Sequence, residues 1–327
     1  MIEPIRPRRL RRTPALRALT RETRLSSASL IYPLFVVQDT NVKSEISTLP
    51  GQYHYSPDRV CEAVEEHLAA GVDKFILFGL PAHKDPLGRG AYDENGVVQQ
   101  GLRAIRERYP EVMLIGDVCL CEYTSHGHCG VLVGDAPDND QTLPLLAQTA
   151  VSQVAAGADM VAPSAMMDDQ VAAIRSALDE AGYDQAPIMS YSAKYASAFY
   201  GPFRGAADSA PAHGDRKGYQ MDPHNVREAV KESLIDAEQG ADILMVKPAL
   251  AYLDVISRVK EATDLPLAAY SVSGEYAMVK AAAVAGLVDE DTIVSESAVS
   301  IFRAGADILI TYYAKRIAGA IAEGRIG

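Results

Sequence analysis

Two lysines stand at the ends of apolar runs. Lys247 closes Ile243-Leu244-Met245-Val246 ahead of Pro248, and Lys194 follows Met189-Ser190-Tyr191-Ser192. An ammonium in such a place is costly unless it is paired, hydrated or used. Desolvated beside a second cation, a lysine amine gives up its proton, attacks a carbonyl and forms a Schiff base. Either lysine alone reads first as a rim residue reaching solvent. Two of them on consecutive runs point to chemistry. Lys74 begins its run rather than ending it, and no role is assigned to it.

A second constellation is Cys119-Leu120-Cys121-Glu122 followed by His126-Gly127-His128-Cys129. Three of the chain's four cysteines crowd into this stretch, where packing gives no reason for them. Alternate residues of an extended chain face opposite ways, so Cys-x-Cys converges only through a turn, which Gly127 and Gly130 permit. Three thiolates suit Zn²⁺ and leave a fourth position for water or substrate. His126 and His128 are either further ligands or donors behind the ligands. Asp117 is either an acceptor in that outer layer or a strand-end residue. The plain reading of the cluster is three reduced cysteines in a loop.

Candidate anion-holding groups complete the set. Arg204 and Arg216 lie in the Gly- and Pro-rich stretch 198–222, and a guanidinium fork holds a carboxylate in two places. Ser273 and Tyr312 follow two later apolar runs and offer hydroxyl donors. Taken singly, each also has a structural reading: a solvated loop charge for the arginines, a packed hydroxyl for the others.

Such residues need a scaffold. Gly71-Val72-Asp73, Gly157-Ala158-Asp159, Gly240-Ala241-Asp242 and Gly305-Ala306-Asp307 each end a helical pattern and open an apolar run. Glycine suits the left-handed turn after a helix. The spacings fit pairs of βα units, with strands expected at Leu30–Val37, Lys74–Gly79, Val112–Cys119, Met160–Ser164, Pro187–Ser192, Ile243–Pro248, Pro266–Val272 and Asp307–Tyr313. Continuous apolar runs are what parallel strands buried on both faces require. Val60, Ala63, Val64 and Leu68 share a helical face, as do Val226, Val230 and Ala237. Asp58, Asp140 and Asp222 are expected helix N-caps. Eight strands alternating with helices predict an α/β fold, a (β/α)₈ TIM barrel. A doubly wound open sheet is the alternative, but no Gly-rich phosphate fingerprint follows a strand. Both lysines then fall at C-terminal strand ends, where barrel enzymes place their chemistry, and stretch 198–222 reads as a lid or a disordered loop.

The 327 residues are 48% hydrophobic and 23% charged, enough for a large core without staples. A net charge of −12 argues against nucleic acid as a partner. No apolar run nears the roughly 18 residues of a membrane span. Arg6, Arg8, Arg9, Arg11, Arg12 and Arg17 form a basic start without a secretory apolar region. Glu3 and Glu22 weaken a transit-peptide reading. The expectation is an extended N-terminal arm over residues 1–25, a barrel over 26–327 and a cytoplasmic setting.

The motifs Ser190-Tyr191-Ser192-Ala193-Lys194-Tyr195, Met245-Val246-Lys247-Pro248, Cys119-x-Cys121 and His126-Gly127-His128-Cys129 together resemble porphobilinogen synthase, the δ-aminolevulinate dehydratase family. The resemblance runs from Arg21-Glu22-Thr23 to Tyr312-Tyr313. It implies a barrel that condenses two 5-aminolevulinates into porphobilinogen with loss of two waters. By the same resemblance Lys247 forms the Schiff base on the propionate side and Lys194 that on the acetate side. Ser273 and Tyr312 would hold the first carboxylate, and Arg204, Arg216 and Gln220 the second. Cys119, Cys121 and Cys129 would bind zinc, Glu232 an allosteric Mg²⁺, and the arm a neighbour in a homo-octamer. Ala28-Ser29 and Asp168-Asp169 depart from the family's usual residues, away from the chemistry. A class I aldolase would use one lysine and leave the second lysine and the thiols unexplained. A non-catalytic zinc scaffold would unfold on chelation.

Overall fold

The computed structural model describes residues 5–327; residues 1–4 of the expected arm, Glu3 among them, lie outside that range. Eight parallel strands alternate with helices. In chain order these are β1 (Leu30–Val37), α1 (Val60–Leu68), β2 (Lys74–Leu80), α2 (Val97–Arg108), β3 (Met113–Val118), α3 (Asn139–Ala155), β4 (Met160–Pro163) and α4 (Gln170–Glu180). The second half continues with β5 (Met189–Lys194), α5 (Val226–Glu238), β6 (Ile243–Lys247), α6 (Leu253–Ala262), β7 (Leu267–Ser271), α7 (Ser273–Val284), α8 (Glu290–Arg303), β8 (Ile308–Thr311) and α9 (Ala314–Ala322). The sheet runs β4-β3-β2-β1-β8-β7-β6-β5. A parallel bridge between Val161 and Ile188 joins β4 to β5 and closes the (β/α)₈ barrel.

The apolar runs became strands because both of their faces are covered. Phe75, Ile76 and Leu77 of β2 and Leu114 and Ile115 of β3 have no exposed surface. Burying each such side chain contributes roughly 1.5–3 kcal/mol. Gly71, Gly157, Gly240 and Gly305 all have positive φ, between 81° and 120°, so each ends a helix as its position requires. On α1, Val60, Ala63 and Val64 are buried. On α5 the centre of the inner face is Ala229 and Ser233, with Val226, Val230 and Ala237 packed at its shoulders.

Three expected N-caps do not cap. The carboxylate of Asp58 accepts the Asn41 N–H. That of Asp222 accepts the His224 N–H two residues on, and the N-cap position of α5 falls to Asn225, whose side chain makes no capping bond. On α3 the cap is Asp138, one pair short of Asp140, and it accepts the Gln141 N–H. Local bonds of this kind compete with capping. The fifth strand also runs two residues further than expected, so Lys194 lies within β5 and not beyond it. A short hairpin, Lys43–Glu45 with Tyr53–Tyr55, adds to the C-terminal end of β1.

The stretch after β5 is ordered rather than an open loop. It forms a short helix, Gly201–Ala206, and then folds back across the barrel mouth. Thr48 Oγ1 donates to Pro202 O at 2.8 Å, and His54 Nε2 meets Ala206 O at 2.6 Å. The hairpin therefore latches the lid.

Candidate active site

Strand register brings the lysines together. Lys194 and Lys247 are direct partners on β5 and β6. Both are 5% exposed. Their ammonium nitrogens lie over the same ring, that of Tyr191, at 5.5 Å for Lys194 and 5.0 Å for Lys247. They share a small cavity with Phe78, Asp117, Glu122, Ser164 and the lid residues Phe203, Arg204 and Arg216.

Lys247 Nζ is also 4.4 Å from the Tyr270 ring centre, 5.1 Å from Phe203 and 5.3 Å from Tyr200. Burial, reinforced by the Lys194 charge, lowers its pKa to about 7. The amine is thus available as a nucleophile near neutral pH. Lys194 Nζ instead donates to Ser164 O. Ser164 Oγ in turn donates to Asp117 Oδ2 at 3.0 Å. Burial, then the Glu122 charge, pushes Asp117 up to about 7. Asp117 therefore sits beside the lysines as well as beside the cysteine segment.

The three cysteines converge as the Cys-x-Cys turn demands. The sulfurs of Cys119, Cys121 and Cys129 all lie within 4.8 Å of one another, buried and free of disulfides. Cys129 is held well below the usual thiol range because the neighbouring Cys119 and Cys121 thiols stabilise its charge. Burial and the neighbouring sulfurs push Cys119 and Cys121 well above that range, so one thiolate faces two thiols. Three buried soft donors converging on one point, one of them already a thiolate, fit a zinc ion. The histidines are committed elsewhere. His128 Nδ1 pairs with Tyr219 OH at 3.1 Å and Nε2 with His213 O at 2.9 Å. His126 Nδ1 accepts the His128 N–H and Nε2 meets Pro86 O. The His128 ring thus ties the cysteine segment to the lid and the His126 ring ties it to the loop at Pro86, and neither joins the sulfur cluster. Among the described residues, no other group brings three ligand atoms so close.

The anion-holding candidates divide. Arg204 and Arg216 reach the lysine cavity. Arg216 is 6% exposed, donates to Gly127 O at 2.8 Å and keeps its Nε unpaired. Burial works against its charge, but the Cys129 thiolate together with Cys121, Tyr219 and Cys119 outweighs it and holds Arg216 cationic. Burial and Arg216 depress Arg204. Gln220 is buried with both amide atoms unpaired. It lines a neighbouring cavity together with Tyr191, Ser192 and Glu232. Ser273 and Tyr312 stand behind the lid and the aromatic ring. Ser273 Oγ accepts the Phe203 N–H at 2.9 Å, and Tyr312 OH meets Tyr270 OH at 3.4 Å. Both are therefore one residue removed from Lys247.

Glu232 is half-buried, and burial followed by Asp168 and Asp236 raises its pKa. Asp236 accepts from Ser190 Oγ of β5 at 2.7 Å. Residues that motif reading passed over are Tyr191, Tyr200, Phe203 and Tyr270, which wall Lys247, and Ser164, which holds Lys194. An inward-facing alternation along β5 and β7 was the available signal for Tyr191 and Tyr270.

The sequence profile described as Delta-aminolevulinic acid dehydratase matches residues 4–320. A Delta-aminolevulinic acid dehydratase of Synechococcus elongatus is 56% identical over 95% of this chain and 96% of its own. One from Archaeoglobus fulgidus is 54% identical over 96% of this chain and 97% of its own. A crystal structure of the Toxoplasma gondii enzyme in complex with its product porphobilinogen superposes with a TM-score of 0.95. That pair is 45% identical and covers 98% of this chain and 92% of the other. The chain belongs to the delta-aminolevulinic acid dehydratase family.

Proposed function

We propose that this chain catalyses its family's reaction, the condensation of two 5-aminolevulinates to porphobilinogen with release of two waters, through two lysine imines. The observation that carries the mechanism is the register pairing of Lys194 and Lys247 in one closed cavity. Lys247, with its pKa lowered to about 7 and so partly neutral at that pH, attacks the ketone of the substrate on the propionate side. The carbonyl oxygen leaves as water and a C=N bond forms. Lys194 holds the second substrate in the same way on the acetate side, beside Ser164 and Asp117. Two tethered ketones facing each other turn an encounter of two molecules into a nearly unimolecular step. Asp117, poised near neutrality, takes or returns a proton at this end of the cavity.

The carboxylates are held apart by two sets of donors. Ser273 and Tyr312 serve the Lys247 substrate, while Arg204, Arg216 and Gln220 serve the other. The space left around the lysines is only about 20 Å³. Substrate therefore enters when the lid lifts, and Phe203 and Arg216 close over it. Closure keeps out water that would hydrolyse the imines. Cys119, Cys121 and Cys129 would hold Zn²⁺, which supplies a Lewis acid at the acetate side when bound. Glu232, near Asp168 and Asp236, is our candidate for an Mg²⁺ contact.

Residues 1–25 are read as the arm and 26–327 as the barrel. Ile5, Leu10 and Leu19 are exposed along the arm, at 89%, 55% and 74%. Such apolar surface on a basic segment fits docking on a second copy, in an octamer as the family resemblance implies. No helix among the described residues is long and apolar enough to cross a membrane, in keeping with a cytoplasmic enzyme. The test is pyrrole formation from 5-aminolevulinate with added zinc and after chelation. The expected result is turnover that falls on chelation and returns with zinc. No pyrrole under either condition would contradict the reading.

A further inference from the structure

Glu275 is 7% exposed and belongs to the first turn of α7, two residues after Ser273. Among the described residues it pairs with no lysine, arginine or histidine. Its partners are backbone N–H groups from two separate loops. One carboxylate oxygen accepts from Val272, the residue that precedes its own helix. The other accepts from Leu250. A further N–H, that of Ala249, also stabilises the charge. Burial still pushes the carboxyl up to about 7.

Capping the start of its own helix is ordinary work for a glutamate at this position. The reach across to residues 249 and 250 is not. Those residues come directly after Lys247-Pro248 at the end of β6. The Lys247 carbonyl is itself gripped by Tyr195 N–H at 3.0 Å and Tyr200 OH at 3.1 Å. Glu275 thus adds a fixed point just beyond the lysine and another just before Ser273. A buried carboxylate without a counter-cation is a costly way to join two loops, which an apolar pair or a neutral amide would join more cheaply. Its oxygens accept several N–H groups at once, and this holds both loops in one geometry.

We propose that Glu275 is a positioning residue that fixes the distance between the Lys247 amine and the Ser273 hydroxyl, and so selects the length of oxo acid this half of the site accepts. The inference rests on the reading above, in which Lys247 takes the ketone and Ser273 the carboxylate. It concerns the spacing between ketone and carboxylate and not the amino group, so substrates without the amine suffice to test it.

Levulinate has the ketone-to-carboxylate spacing of 5-aminolevulinate, and 5-oxohexanoate is one methylene longer. The full-length protein with its metal is incubated with each, reduced with borohydride, and the adduct on Lys247 is quantified by mass spectrometry against concentration. Wild type should favour levulinate by about tenfold or more, the scale of one misplaced methylene. In Glu275→Gln, which keeps the bulk but replaces one acceptor by a donor, the preference should fall below about threefold, chiefly through weaker levulinate capture. Glu275→Asp keeps the charge but is too short to reach both loops, and should lose selectivity likewise. If wild type forms no levulinate adduct on Lys247, the functional reading fails. If it does, but both variants keep the wild-type preference, the inference alone fails. If neither variant folds by circular dichroism, Glu275 is a stability residue and the inference is overturned; if only one folds, that one decides.

Discussion

The two halves of the lysine cavity are built from paired positions on adjacent strands, yet they differ in kind. Around Lys247 are four aromatic rings, and its nitrogen hydrogen-bonds to none of the described residues. Around Lys194 are a carbonyl, a carboxyl and, close by, three thiols. Burial without compensation favours the neutral amine, although ring faces attract an ammonium and oppose this in part. The aromatic half is therefore suited to capturing a ketone first, and the polar half to steering protons and a metal. Register brings the amines together; the loops that cover each strand end make them different.

Replacing either amine tests that division with the largest effect. Lys247→Met should lower turnover by about 10⁴-fold or more while melting within about 3 °C of wild type, since the side chain's bulk is nearly kept. Normal turnover would refute the assignment. Removing the metal should strike only the polar half. Chelation, or Cys129→Ser, should cost about 10²-fold or more in turnover, yet Lys247 should still be trapped by levulinate and the circular dichroism should persist. Unfolding on chelation would instead make the cysteines a structural site.

A smaller effect is expected from Arg216→Gln. Losing one charge-assisted clamp should raise KM by about 10- to 100-fold with a lesser change in kcat. An unchanged KM would remove Arg216 from the substrate's carboxylate. The aromatic half also predicts a pH dependence. Below about 7 the Lys247 amine is protonated, so kcat/KM should fall by up to about tenfold per pH unit on the acid side and level off above. The accompanying stability change has a definite sign. Between about 7 and the ordinary lysine value of 10.5 the unfolded chain binds this proton and the folded chain does not, so this group's contribution to stability rises with pH across that window. Lys247→Met should flatten that rise in denaturant titrations. Least affected should be the chemistry of a chain lacking residues 1–20. The arm lies outside both halves, so its loss should shift light-scattering mass downward and leave imine trapping intact.

Much of this arrangement was legible in the residues. Strands buried on both faces leave continuous apolar runs, and positive-φ glycines mark helix ends, so the barrel could be read directly. Lysine and cysteine stood out because their types are expensive or pointless where they occur. What could not be read depends on contacts distant in sequence. Tyr191, Tyr200, Phe203 and Tyr270 look like core packing until the fold gathers them around one nitrogen. The hairpin at residues 43–55 is short and its first strand is fully exposed, with no apolar run to reveal it. Asp58 and Asp222 resemble caps in sequence, but their carboxylates found nearer N–H groups. The end of β5 was misplaced because its last residues, Ala193 and Lys194, lack the apolar signature of a strand.

The central claim is that two amines act in one cavity, and borohydride trapping tests it most directly. The protein is reduced in the presence of 5-aminolevulinate, digested, and its modified lysines located by mass spectrometry. The account predicts adducts on Lys247 and Lys194, with Lys247 modified first. Adducts confined to other lysines, or none at all, would contradict it.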